Sequence, residues 1–301
     1  MSDLTCFSTD TLIIGAGVCG LNLGNKLLTP SIILEKSQGL GGRIANRRIQ
    51  DLGFDHGAPY LKDDPLLKNL FQELHLLQDI QEHGEGIFLK NSMTKLPKKM
   101  ANHLLIKKST KAEIIYKSNQ CWTVLTENKE EFFGKSLVLT APLPQTLELL
   151  SKSQIQYPEE LNLISYTKAL MALVILKENT KPDLVYSKPI HSVLSMNDRD
   201  LHPRGFVVRG TPEFSEKFFD EKDEVALGKL VLGFKKGFST NIEIEYQELK
   251  KWRYVTPLSP LPCPYVEVAP RLFITGDAFL YPDVRGSLHG AFHLAEKLNQ
   301  S

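Results

Sequence analysis

Several things are scarce in this 301-residue sequence, and each absence removes a class of protein. No apolar run reaches the roughly 18 residues that a membrane-spanning helix needs, so none is expected. Cysteine occurs only as Cys6, Cys19, Cys121 and Cys263, with no C-x-x-C pair to suggest a zinc ribbon or a redox dithiol. Scattered thiols of this kind fit a reducing, cytoplasmic setting. An excess of one charge is missing too: 36 Lys and Arg face 35 Asp and Glu, a net +1, so nothing global points to nucleic acid or an anionic membrane. The first ten residues hold Asp3 and Asp10 but no Lys or Arg, and glycines break the apolar run that follows, so a secretory leader is not expected. Repeats and low-complexity tracts are also missing. What remains is a chain long enough for a large core, expected to form two domains with a shared interface.

The chain opens on a strand, Thr11–Ile14, a glycine turn at 15–20, a helix from Leu21 to Leu28, and a second buried strand, Ser31–Glu35. Residues 65–78 carry apolar residues at helical spacing, predicting one helix. Residues 95–111 hold six lysines among Leu and Ile, read as a solvated face rather than a basic binding patch. Ala112–Tyr116, Trp122–Thr126 and Phe132–Thr140 alternate like a meander, and Lys168–Leu176 reads as another apolar strand. Glu213–Glu224 predicts an acidic surface helix. A strand at Leu272–Thr275 leads to Gly276-Asp277 and a final helix from about Val284. The pattern is an α/β chain whose nucleotide-binding domain is split between its two ends.

In Gly15-Ala16-Gly17-Val18-Cys19-Gly20, Gly15 allows a tight turn, Gly17 lets a pyrophosphate approach the backbone, and Gly20 lets the helix pack on the strand. Glu35, 20 residues beyond Gly15 and followed by Lys36, is placed to accept bonds from both ribose hydroxyls and to repel a 2′-phosphate. Gly39-Leu40-Gly41-Gly42-Arg43 offers backbone N–H groups and a guanidinium to phosphate. Far along the chain, Asp277 is suited to a ribityl hydroxyl, and the helix start near Val284 to an electron-rich ring edge. A second sugar-and-ring site so far from the first does not suit a plain nicotinamide fold; it suits a long, resident dinucleotide, FAD.

With these residues assembled, the chain resembles the flavin amine oxidase superfamily, and within it the small bacterial renalase-like enzymes. Four segments carry the resemblance: Ile13–Gly24; Glu35 to Arg43; Asp55-His56-Gly57-Ala58-Pro59-Tyr60; and Lys251-Trp252-Arg253-Tyr254 leading to Gly276-Asp277. Val138–Gln145 also looks like the family's strand and Pro-rich loop. The resemblance implies an FAD-binding Rossmann-like domain plus a smaller α+β substrate domain, of the p-hydroxybenzoate hydroxylase type. The expected division gives residues 1–62, 99–148 and 259–301 to the first and 63–98 and 149–258 to the second. It implies non-covalent FAD, with Ala112 at the adenine, Thr140, Ala141 and Pro142 along the cofactor, and Gly57 to Tyr60 beside the flavin ring. Val284, Arg285, Gly286 and Ser287 would sit at its pyrimidine edge. The sequence departs from the family pattern in having Pro59 in place of a glutamine, in a final helix whose RGSLHG is one residue short, and in a trimmed stretch around Glu85–Lys99.

The activity so implied is hydride transfer from a small reduced organic donor to flavin, with oxygen as acceptor and hydrogen peroxide as product. A renalase-like donor would be an isomer of NAD(P)H, which becomes aromatic on losing hydride and needs no protein base. Amine oxidation is the alternative; it calls for a lysine near the flavin, and Lys177, Lys235 and Lys236 are available. A desaturase would need a larger apolar substrate domain. A non-catalytic FAD module, motivated by Pro59 and the altered last helix, and a colourless NAD-dependent dehydrogenase complete the set. His56, Trp252 and Tyr281 are the candidates for the donor pocket, His56 as a base and the other two as walls. His289, His293 and Glu296 share a helix face, but without an H-E-x-x-H glutamate no metal is expected. Cys263 reads as a free thiol, not a point of flavin attachment.

Overall fold

The computed structural model describes residues 6–50 and 52–300. Asp3, on which the reading of the N-terminus partly rests, lies outside them. The chain runs β1 (Cys6–Ile14), α1 (Val18–Lys26), β2 (Ser31–Leu34), then a hairpin of β3 (Asn46–Ile49) and β4 (Leu52–Asp55). After α2 (Pro65–Glu73) come a second hairpin, β5 (Ile80–His83) and β6 (Gly86–Leu89), α3 (Lys95–Met100) and β7 (Leu105–Lys107). The meander is β8 (Ala112–Ser118), β9 (Cys121–Thr126) and β10 (Glu131–Leu139), followed by α4 (Leu143–Lys152). The later half holds β11 (Ala169–Leu176), β12 (Ile190–Ser195), β13 (Gly205–Gly210), α5 (Pro212–Phe218), α6 (Asp223–Lys235) and β14 (Ile244–Trp252). It ends with β15 (Tyr265–Ala269), β16 (Leu272–Thr275) and α7 (Val284–Asn299).

Strands from both ends of the chain build one sheet. Its parallel centre is ordered β16-β10-β1-β2-β7, with β15 antiparallel at one edge and β9 and β8 branching from the start of β10. The central strands are near-continuous apolar runs because both faces are covered. Ile13, Ile33, Val138 and Phe273 meet α1, α2, α3 and α7 on one face, while Leu12, Ile32, Leu137 and Leu272 meet the meander and α4 on the other. The second sheet is antiparallel, ordered β12-β13-β11-β14. Its centre, β11, is buried along its whole length: Leu170, Ala172, Val174 and Leu176 face α5 and α6, and Met171, Leu173 and Ile175 face Phe54 of β4.

Three expectations change. The helix predicted over 65–78 stops at Glu73, because His75 takes a left-handed backbone (φ 52°), and a short 3-10 turn follows at Leu77–Asp79. Its start is firm: Asp64 caps it by accepting from the Leu66 N–H, with Pro65 in the first turn. The acidic helix over 213–224 is two helices, broken between Phe218 and Asp223, where buried Phe219 turns into the second core. The lysine-rich stretch is not merely solvated, since Leu96 and Met100 of α3 are buried in the first core and β7 is the sheet's edge strand. Residues 63–98 bury Leu67, Leu70, Phe71, Leu89 and Leu96 in that same first core. No helix among the described residues is long and apolar enough to cross a membrane.

Candidate functional site

A cleft of about 1190 Å³ opens where the parallel strands end, lined by Ile14 of β1, Leu34 of β2 and Leu139 of β10, with Asp277 just past β16. Ligands of open α/β sheets bind at these carboxyl ends. The volume exceeds the ~300–1,000 Å³ of ordinary small-ligand pockets.

The glycine turn is shaped by contacts that leave one position open. Gly15 has φ +110° and sits where a Cβ would lie 2.9 Å from Thr140 Oγ1; a Cβ on Gly20 would lie 2.0 Å from the Gly15 carbonyl oxygen. Thr140 is held there by donating to the carbonyls of Ile14 and Gly15. Gly17 differs: nothing lies within 4 Å of the Cβ it lacks, and it is the N-cap of α1 without a capping side chain. The first-turn N–H groups of α1 therefore meet the cleft with an electropositive helix end.

Glu35 is buried and oriented by three donors. Its Oε2 accepts from the Ala16 N–H at 2.8 Å, and its Oε1 from the N–H and hydroxyl of Ser37. The carboxylate is thereby fixed on the cleft wall, together with Lys36 and Ala112. Also on the wall, Arg43 and Asp277, 234 residues apart, form an ion pair of 2.5 Å, and Arg43 also donates to the Val255 carbonyl at 3.1 Å. Burial opposes the charge on Arg43, but Asp277 outweighs it and holds the guanidinium above its ordinary pKa. Tyr166 reaches Asp277 Oδ1 at 3.4 Å; burial first, and Asp277 second, push its phenol up, so it stays neutral. Burial also pushes Cys19, on the cleft wall, up to about 12, which makes it an unreactive thiol.

The stretch Gly57 to Tyr60 lies against Arg43, with the Ala58 N–H donating to the Arg43 carbonyl at 2.9 Å. A Cβ on Gly57 would come within 2.0 Å of that carbonyl oxygen. Pro59 lines the cleft, and its carbonyl accepts from buried Arg199 at 2.5 Å. Gly41, Gly42, Val18, Ala141, Pro142, Val284, Ser287 and Trp252 are on the wall as well.

Seven expected site residues are not on the wall. Ala16 and Gly20 are buried in the turn beneath it, and Gly276 (φ 145°) is a backbone hinge before Asp277. Arg285 folds back onto Asp283, which also caps α7 by accepting the Arg285 N–H, so part of that helix end is already satisfied. Gly286 packs under the carbonyls of Phe279 and Tyr281. Tyr281 is 39% exposed, its ring beside His289 and under Arg285. His56 turns away, its ring 5.6 Å from Trp252, whose Nε1 donates to the His56 carbonyl. His289 bonds Asp64 and His293 bonds Glu296.

Burial, aided by Lys250, lowers His56 from 6.5 to about 4. Between those values the unfolded chain takes up a proton that the folded chain does not, so stability falls as pH drops through this window. The expected loss is about 3 kcal/mol at most, levelling off below it. Urea unfolding at about pH 7 and pH 4.5 checks this: His56→Gln should flatten the difference, and an unchanged difference would assign it elsewhere.

Some cleft residues carry no local sequence signal. Met171 and Arg209 line the wall with Tyr60 and Trp252, and only the packing of the second sheet brings them there. An arginine inside the apolar strand Gly205–Gly210 was the one available hint.

Residues 13–74 match the NAD(P)-binding Rossmann-like domain. No curated protein matches the sequence. In three dimensions, a provisionally assigned protoporphyrinogen oxidase from Exiguobacterium sp. 255-15 is 12% identical with a TM-score of 0.77, over 100% of this chain and 99% of that one. Putrescine oxidase bound to putrescine is 13% identical with a TM-score of 0.72, over 98% of this chain and 100% of that one. This chain shares the fold of putrescine oxidase. A form of that enzyme redesigned at its cofactor site gives a TM-score of 0.76 at 12% identity, over 97% of this chain and 99% of that one. The likeness is one of fold: a Rossmann-like domain with a parallel sheet, carrying a second sheet across the cleft.

Proposed function

We propose that the cleft holds FAD non-covalently and that the protein is an FAD-dependent oxidoreductase acting on a small reduced organic donor. The observation that carries this reading is the continuity of the cleft, from buried Glu35 past the uncapped start of α1 and the Arg43–Asp277 pair to Trp252 on the second sheet. When bound, FAD supplies a hydride acceptor at ring N5 and a route for electrons to oxygen, giving hydrogen peroxide. Glu35 holds ribose hydroxyls and excludes a 2′-phosphate. The start of α1 takes the pyrophosphate, and Arg43, kept charged by Asp277, adds a cation beside it. Gly57 to Tyr60 and Trp252 set the walls where donor and ring meet.

We infer further that the donor is an isomer of dihydronicotinamide. Among the described residues of the wall over 57–62 and on the second sheet, none is a histidine or carboxylate, and His56 lies off the cleft. A donor that becomes aromatic on losing hydride needs no base there. Amine oxidation is the second reading, supported by Lys62, whose Nζ donates to the Glu85 carbonyl at 2.9 Å beside that wall. Lys177 is instead paired on the surface with Glu243, and Lys235 and Lys236 are exposed at the end of α6.

Anaerobic mixing separates the readings. Bleaching of the flavin by isomeric dihydronicotinamides, with colour and peroxide returning in air, is expected. Bleaching by simple amines alone would move the protein to amine oxidation. A yellow protein that no donor reduces would leave a non-catalytic flavin module.

A further inference from the structure

Three arginines line the cleft, and two have a carboxylate: Arg43 pairs with Asp277 and Arg253 with Asp220. Arg209 has none. Among the described residues it makes no ion pair and no side-chain hydrogen bond, although it lies half-buried on β13 directly opposite Met171. It shares a sheet face with Ala169, Met171, Leu173 and Val207, which β14 continues with Trp252, Lys250 and Glu248, the last two paired with each other. Nearby Arg199 is compensated differently, with Asp55 at 3.8 Å and the Pro59 carbonyl as acceptor.

A half-buried guanidinium without a partner is costly, and a cleft is where a ligand can compensate it. Burial lowers the pKa of Arg209; Glu85 acts against this at a distance and Arg199 adds to it. A guanidinium also matches two oxygens of a carboxylate or phosphate at once. We propose that Arg209 is the anion anchor of the donor site and binds a carboxylate or phosphate group carried by the hydride donor. The position fits: Arg209 stands on the wall with Tyr60 and with Met171 and Trp252 of the second sheet, whereas Glu35 follows β2 of the first sheet. This rests on the flavin reading for the word donor, whereas the anion preference itself is a property of the cleft.

The experiment is calorimetric titration of the protein as purified with two pairs of probes: nicotinamide mononucleotide against nicotinamide riboside, and nicotinate against nicotinamide. The first pair tests phosphate, the second carboxylate. Wild-type protein should bind the anionic member of at least one pair roughly tenfold tighter or more, the worth of charged hydrogen bonds. Arg209→Gln should remove that preference while leaving the affinity for uncharged nicotinamide unchanged, and Arg209→Lys should restore part of it. Equal affinity within both pairs for wild type, or a preference that survives in Arg209→Gln, would overturn the proposal. Tm gives an independent reading: losing an unpaired charge should leave it unchanged or raise it, and a marked fall would mean that Arg209 has a structural partner. Failure of the flavin reading shows separately, as a protein without a visible flavin spectrum before any probe is added.

Discussion

Gly17→Asp is expected to give a folded, colourless protein. Nothing occupies the space around the missing Cβ of Gly17, and its backbone (φ −75°) is one that any residue adopts, so the substitution adds no strain. An aspartate there is a preferred N-cap for α1 and should stabilise the empty protein by a few tenths of a kcal/mol or more. The same carboxylate takes the N–H groups assigned to the pyrophosphate and places a negative charge against it. Flavin affinity should fall at least about 100-fold, close to 2.8 kcal/mol. The opposite signs of the two effects make the test clean, because lost flavin cannot be blamed on lost folding. Flavin content after gel filtration, with urea unfolding alongside, measures both. Wild-type flavin content in this variant would remove α1 as the phosphate site.

Asp277→Asn should cost stability by about 3 kcal/mol, because it leaves the Arg43 guanidinium charged and without its partner. The Arg43 side chain is 27% exposed and that of Asp277 7%, which sets the figure at the lower end for a buried pair. Removing both charges, as Arg43→Met with Asp277→Leu, should recover most of the loss, since two apolar side chains replace the pair. Flavin retention should not recover, because the cation beside the pyrophosphate is gone. Unfolding of the two single variants and the double variant gives the coupling, and flavin content gives the function. Full flavin retention in the double variant would make the pair structural only.

The local part of the site was legible in the sequence because local contacts decide it. Gly15, Gly20 and Thr140 pack within one strand-turn-helix and its neighbouring strand, and the Ala16 N–H reaches Glu35 only 19 residues on. Apolar runs long enough to be buried on both faces marked the parallel strands. The pairing of Arg43 with Asp277 was beyond pattern reading, although each residue had been singled out, because nothing in either motif shows that their charges meet. His56 looked like a base beside a glycine turn, yet the packing of Trp252 against it decides its environment. Arg285 and Tyr281 follow the same rule: capping by Asp283 draws one back, and the ring of the other lies beside His289 on α7. Arg209 belongs to a strand whose neighbours in space, Tyr60 and Trp252, come from two other parts of the chain.

The most direct test of the central claim is to purify the protein, record its visible spectrum, denature it and identify what is released. A yellow protein that releases FAD, about one per chain, into the supernatant is the expected result. A colourless protein, or one that releases a nicotinamide dinucleotide instead, would contradict it.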